Sequence, residues 1–208
     1  MMIIMQNILI KKNNTNAVFF AESLRTARII PAVKSAEEFN RILDVQEKLV
    51  FVLFGDIITI PDIVARLKDA GKTVLIHLDL IGGLDSREVT VDFLAKNTKA
   101  DGVLSTKANL VKHAKNQGLL AIQRFFVLDS MALINIEKHF PLDYTDAIEI
   151  LPGLMPKVIR RIAKLTDLPI IAGGLISDQE DVQHAIDAGA TAVSTTNLEL
   201  LCDKYLRV

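Results

Sequence analysis

The chain has 208 residues, half of them apolar and 24% charged, with 24 Lys and Arg against 25 Asp and Glu for a formal net charge of −1. That length fits one domain with a substantial core. The composition is ordinary for a soluble α/β protein, and the near-neutral total neither announces nor forbids nucleic acid as a partner, since a local basic patch can sit within it. One cysteine, Cys202, excludes an internal disulfide framework and makes the reducing cytoplasm the expected location.

The opening MMIIMQNILIKK is apolar but short. It lacks a preceding basic region and a small-residue cleavage site, so it does not read as a signal peptide. No run approaches the roughly twenty apolar residues of a membrane span. Asn13 to Asn16 reads as a linker, and a short helix is predicted from about Ala17 to Arg28. Residues 1–27 are therefore taken as an N-terminal extension with a lead-in helix, and residues 28–208 as one domain.

From Arg28 a single unit recurs every 20 to 30 residues: a buried run, then an amphipathic stretch. The runs are RIIPAV, LVFVLFGD, TVLIHLDL, GVLST, LAIQRFFV, AIEILPG, PIIAGGLI and AVSTT. They are continuous rather than alternating, as in parallel strands covered on both faces. Helix starts are predicted at the capping-box spacings Ser35-x-x-Glu38, Asp85-x-x-Glu88 and Ser177-x-x-Glu180, and in the first turns holding Pro61 and Pro156. Gly71, Gly118 and Gly189 fall near predicted helix ends. Cys202, in LELLCDKYL, reads as a helical core position. Eight such units close most economically into a single-domain α/β fold, a (β/α)8 TIM-type barrel. An open doubly wound sheet is the competitor, but no G-x-G-x-x-G fingerprint opens a helix.

Function in such a barrel gathers at the C-terminal ends of the strands. PIIAGGLIS, Pro169 to Ser177, and AVSTTN, Ala192 to Asn197, each run from a buried strand into small or hydroxyl residues where a helix should begin. Backbone N–H groups at such places favour an anion, so Gly173, Gly174, Thr195 and Thr196 are the candidate phosphate cradle. His77, Asp79, Gln123, Arg124 and Glu149 lie in or beside apolar strands, where a polar group must be paired or used. Two readings stay open: a structural network, with Arg124 pairing Glu149, or a ligand pocket with Arg124 on an anion and the others on hydroxyls. His77 and Asp79, two apart, are expected on one strand face, and only one of Gln123 and Arg124 points inward.

The four histidines show no H-x-x-x-H and no Cys partner, so no metal site is expected. None of the eight runs holds a lysine before its end, which argues against a Schiff-base enzyme, although His77, Asp79 and Glu149 offer acid–base groups for a phosphosugar isomerase, aldolase or synthase. Lys157, Arg160, Arg161 and Lys164 recur at helical spacing as a basic stripe, either a solvated face or a track for a phosphodiester backbone.

RIIPAV, VLIHLDLIGGL, DGVLSTK, LLAIQRFFVLDS, IEILPGLMP, PIIAGGLIS and AVSTTN, in this order from about Arg28 to Leu201, together resemble the bacterial glycerol uptake operon antiterminator family. The AIQR-F-x-x-DS run, Ala121 to Ser130, and EILPG, Glu149 to Gly153, are the most specific parts. The resemblance implies a barrel that senses glycerol 3-phosphate and acts on leader messenger RNA: a regulator without catalytic residues or a resident cofactor, not held in a membrane, and open to self-association. On that resemblance the phosphate lies near Gly173, Gly174, Thr195 and Thr196. The glycerol end faces His77, Asp79, Gln123, Arg124 and Glu149. Lys157, Arg160, Arg161 and Lys164 are the candidate RNA contacts.

Overall fold

In a computed structural model, which describes residues 18–201, eight parallel strands close into a barrel in sequential order, the predicted (β/α)8 architecture. A helix over residues 18–27 (α1) leads into β1 (Ile29–Val33). There follow α2 (Ala36–Leu43), β2 (Leu49–Val52), α3 (Ile60–Asp69), β3 (Thr73–His77), α4 (Val89–Asn97), β4 (Gly102–Ser105) and α5 (Ala108–Asn116). The second half comprises β5 (Leu120–Phe126), α6 (Ser130–Lys138), β6 (Ala147–Leu151), α7 (Pro156–Ile162), β7 (Ile170–Gly173), α8 (Gln179–Asp187) and β8 (Ala192–Thr195). A 3-10 turn, Leu198–Leu201, packs next to β1. The readings of the first sixteen residues and of Cys202 fall outside the described residues.

Strand alternation sorts the core into two clusters. Ile30, Phe51, Leu75, Leu104, Ile122, Ala147, Ile171 and Ala192 fill the barrel interior. Their neighbours Ile29, Val50, Ile76, Val103, Ala121, Ile148, Ile170 and Val193 pack outward under the helices. Phe20 and Leu24, one helical turn apart on α1, join the interior cluster and close the N-terminal end of the barrel.

That end carries a device used twice. Asp101, just before β4, accepts the Val74 N–H at 2.8 Å and pairs with Lys68 of α3 at 2.6 Å. Asp146, just before β6, accepts the Ala121 N–H at 3.0 Å and pairs with Lys115 of α5. Each aspartate ties a strand start to a helix one unit back. Asp146→Ala leaves a buried N–H without its acceptor and is expected to cost about 2 kcal/mol, read as a shifted urea midpoint at unchanged slope.

Two helix starts differ from expectation. α4 begins after Glu88, because Asp85 is committed to its own loop, where it accepts the Arg87 N–H and the Thr90 hydroxyl. α8 is capped one residue later than predicted. Asp178 accepts the Asp181 N–H at 2.9 Å, and Asp181 reaches back to the N–H and hydroxyl of Ser177.

Candidate functional site

On four strands the apolar interior position of mid-barrel gives way to a polar one two residues later, at the C-terminal mouth: Leu75 to His77, Ile122 to Arg124, Ala147 to Glu149 and Ala192 to Ser194, while on β7 Ile171 gives way to Gly173. Because the side-chain period of a strand is two, these groups share the inward face with the core below them.

Glu149 is the hub. It has no exposed surface, and both carboxylate oxygens are engaged: Oε2 accepts from Arg124 Nε at 2.6 Å and Oε1 from the Ser194 hydroxyl at 2.6 Å. Gly173 makes this possible, since a Cβ there would stand 2.6 Å from both Glu149 Oε1 and Ser194 Oγ. Above this network lies a cavity of about 470 Å³, lined by Ala32, Leu53, Arg124, Glu149, Leu151, Gly174–Ser177 and Ser194–Asn197. Arg124 is only 7% exposed, and apart from Nε its guanidinium makes no hydrogen bond among the described residues. The side chain therefore reaches the cavity with its terminal amino groups free of protein partners.

The rim of the cavity is shaped by the turn after β7. Gly174 and Leu175 both have positive φ, +74° and +64°, and Leu175 is largely exposed. Such a conformation suits glycine and costs a leucine about 1–2 kcal/mol. The Thr195 hydroxyl is committed locally: it donates to Ile176 O at 2.9 Å and accepts the Asn197 N–H at 3.0 Å, stitching the end of β8 to this turn. Thr196 lines the cavity with no side-chain hydrogen bond among the described residues. The first turn of α8 is less open to an anion than predicted, because Asp181 takes the Ser177 donors and Asp178, Glu180 and Asp181 gather there.

His77 and Asp79 stand apart from this cavity. β3 ends at His77, and Asp79 sits in a 3-10 turn, Leu78–Leu80, so the two do not share a strand face as expected. Asp79 turns toward the end of β4, accepting from the Ser105 hydroxyl at 2.9 Å and the Thr106 N–H at 2.7 Å, with Lys107 at 3.4 Å. Burial opposes its charge, but the hydrogen bonds from Thr106 and Ser105 hold the carboxyl below its ordinary range. His77 Nδ1 accepts the Asp79 N–H at 3.2 Å, which puts the neutral ring's proton on Nε2. Burial, reinforced by the Arg124 charge, lowers His77 to about 4, so the imidazole is neutral at physiological pH.

Gln123 faces outward, leaving Arg124 as the inward member of the pair. Its amide donates to the carbonyls of Ser105, Thr106 and Arg124, a structural role, while its Oε1 is buried without a partner among the described residues. On α7 and the turn after it, Lys157, Arg160, Arg161 and Lys164 are all exposed, with Arg161 paired to Glu137 of α6. Among the described residues no three His, Cys, Asp or Glu side chains gather as a metal site, and no helix is long and apolar enough to cross a membrane. Leu53 and Leu151 were not among the predicted site residues, and Ser194, a strand-end residue in the sequence reading, stood outside the predicted phosphate and ligand sets. Counting two on from the interior Ala192 finds Ser194, but the hydroxyl run that follows points to Thr195 and Thr196.

Residues 29–201 match the family model for the glycerol-3-phosphate responsive antiterminator. YgcP of Escherichia coli (strain K12) is 44% identical over 174 residues, covering 84% of this chain and 91% of its own. The crystal structure of a glycerol uptake operon antiterminator regulatory protein from Listeria monocytogenes is 35% identical, with a TM-score of 0.79 over 83% of this chain and 93% of that one. That of an antiterminator-related protein from Thermotoga maritima is 32% identical, with a TM-score of 0.74 over 83% and 96%. A deoxyribose phosphate aldolase from Aeropyrum pernix, 14% identical with a TM-score of 0.65, covers 85% of this chain and 89% of its own and shares the fold alone.

Proposed function

Because the chain belongs to the glycerol-3-phosphate responsive antiterminator family, we propose that its barrel mouth binds glycerol 3-phosphate and that the bound form acts in the cytoplasm on leader messenger RNA of glycerol-catabolism operons. The observation that carries the ligand half is Arg124, a nearly buried cation whose terminal amino groups have no protein partner in a cavity of about 470 Å³. A guanidinium fork matches a phosphate in both charge and geometry. Gly174 and Thr196 complete the phosphate end, while Thr195 supports it by holding the turn. Both oxygens of Glu149 are occupied, which weighs against a general base on this scaffold and for a regulator over a phosphosugar enzyme.

Ligand binding raises stability by mass action, by about 2.7 kcal/mol at a hundred times Kd. Glycerol 3-phosphate is therefore expected to raise Tm, with glycerol and inorganic phosphate giving smaller shifts at equal concentration. No shift with glycerol 3-phosphate would falsify the sensor reading.

The RNA half is supported by α7. Lys157, Arg160 and Lys164 are exposed and have no ion pair among the described residues, whereas Arg161 is partly neutralised by Glu137. Reversing Lys157 and Arg160 to glutamate is expected to weaken leader-RNA binding and flatten its salt dependence, by roughly one unit of log–log slope per lost phosphate contact. Filter binding across a salt series checks this. An unchanged slope moves the RNA surface elsewhere.

A further inference from the structure

The orientation of the Arg124 fork is set by two groups in the cavity wall, Glu149 and Ser194, whose polar atoms are already committed to each other and to Arg124. A carboxylate beside an arginine ordinarily takes the guanidinium with both oxygens, occupying Nε and one terminal amino group together. Here that pairing is denied. Glu149 meets Arg124 through Oε2 alone, at 2.6 Å from Nε, because Oε1 is held by the Ser194 hydroxyl at 2.6 Å. The arrangement needs an empty Cβ position at residue 173, where a methyl group would lie 2.6 Å from both Oε1 and Ser194 Oγ. Glu149 lies in the cavity wall with no exposed surface, and both of its oxygens are committed to protein partners.

We propose that Glu149 and Ser194 are positioning residues, with Gly173 as their spacer. Together they hold Arg124 by Nε and keep both of its terminal amino groups available to the oxyanion of a phosphomonoester, while Glu149 itself does not touch the ligand. This rests on the binding reading above and alters two parts of it. Gly173 serves the charge network rather than the phosphate, and Ser194 becomes a determinant of affinity. The buried carboxylate also balances the Arg124 charge in the empty site.

The test separates geometry from charge. In Glu149→Gln the amide oxygen accepts from Arg124 Nε and the amide nitrogen donates to Ser194 Oγ, so the pose survives without the carboxylate. Its affinity for glycerol 3-phosphate, by titration calorimetry, is expected to stay within about threefold of the parent. Glu149→Ala and Ser194→Ala, checked as folded by circular dichroism, should each lose tenfold or more, about 1.4 kcal/mol. In Ser194→Ala the freed Oε1 swings onto the guanidinium and competes with the ligand. Equal damage from Glu149→Gln and Glu149→Ala overturns the proposal, because the ligand then uses the carboxylate itself. Parent-like affinity in Ser194→Ala overturns it as well. A second readout needs no ligand: the Arg124 Nε–H resonance should exchange slowly with water in the parent and in Glu149→Gln, and rapidly in Glu149→Ala. If the parent fails to bind glycerol 3-phosphate, the function reading falls, and this resonance still decides whether Glu149 positions Arg124.

Discussion

Replacing Arg124 with methionine is expected to destabilise the fold by about 3–5 kcal/mol at neutral pH, the cost of leaving a buried carboxylate without its cation. Glu149 has no exposed surface, and after the substitution the Ser194 hydroxyl is its remaining partner. A loss of this size is a large fraction of the roughly 5–15 kcal/mol that holds a typical domain together. Packing alone does not produce it, since methionine fills much of the space of the arginine stem. The double variant Arg124→Met with Glu149→Gln removes the stranded charge and is expected to recover most of the loss. Urea denaturation of the parent, both single variants and the double completes the cycle, and its coupling energy isolates the ion pair. If Arg124→Met lies within about 1 kcal/mol of the parent, the buried pair is not the structural hinge of the mouth. The single Glu149→Gln variant is expected to be milder, because Arg124 lines the cavity and its free amino groups can be solvated there.

The barrel itself was legible because its signal is periodic and local. Each of the eight apolar runs contains one of the eight strands, and the inward set follows from the two-residue period once one member is placed. Arg124 and Glu149 were legible for the same reason: a charge inside an apolar run stands out, and their pairing was one of the two readings left open. What the sequence hides is contact across strands. The glycine pair after Ile171 and Ala172 signals a turn, and Gly174 is indeed in a left-handed conformation. Gly173 is glycine because Glu149 and Ser194 meet where its Cβ would be, and that meeting joins three strands. Asp79 was misplaced because β3 stops at His77, and beyond a strand end the two-residue rule no longer sets direction. The α8 start is ambiguous in sequence because Ser177, Asp178 and Asp181 can each cap a helix, and only the backbone turn selects Asp178. These misses fall in the loops at the C-terminal end of the barrel, where through-space contacts rather than periodicity decide.

Acidification is expected to weaken the mouth through His77. In the folded protein the imidazole titrates near 4 instead of the usual 6.5, because burial disfavours its charge and Arg124 and Lys107 repel it, with Asp79 only partly offsetting them. The unfolded chain therefore takes up this proton first as the pH falls. Above about 6.5 both states are neutral at this position and His77 adds no pH dependence. From about 6.5 down to about 4 the unfolded state binds more protons, and stability falls by an amount approaching 3 kcal/mol. Below that, both states carry the charge and this contribution is exhausted. Asp79 acts lower on the scale: its folded carboxyl is held below the ordinary value, so its contribution is lost only as the pH falls through that depressed value. The two groups thus occupy separate windows. His77→Gln, which removes the titrating ring and leaves an amide oxygen able to accept the Asp79 N–H, is expected to flatten the stability curve between pH 6.5 and 4 while leaving the more acidic limb in place. Urea midpoints at half-unit pH steps for parent and variant decide it. Parallel curves through that window mean that the imidazole is not held neutral by its surroundings. A flattened curve means that the second cation is kept out of the mouth in the folded state, so that Arg124 is the charge an incoming phosphate meets in the cavity.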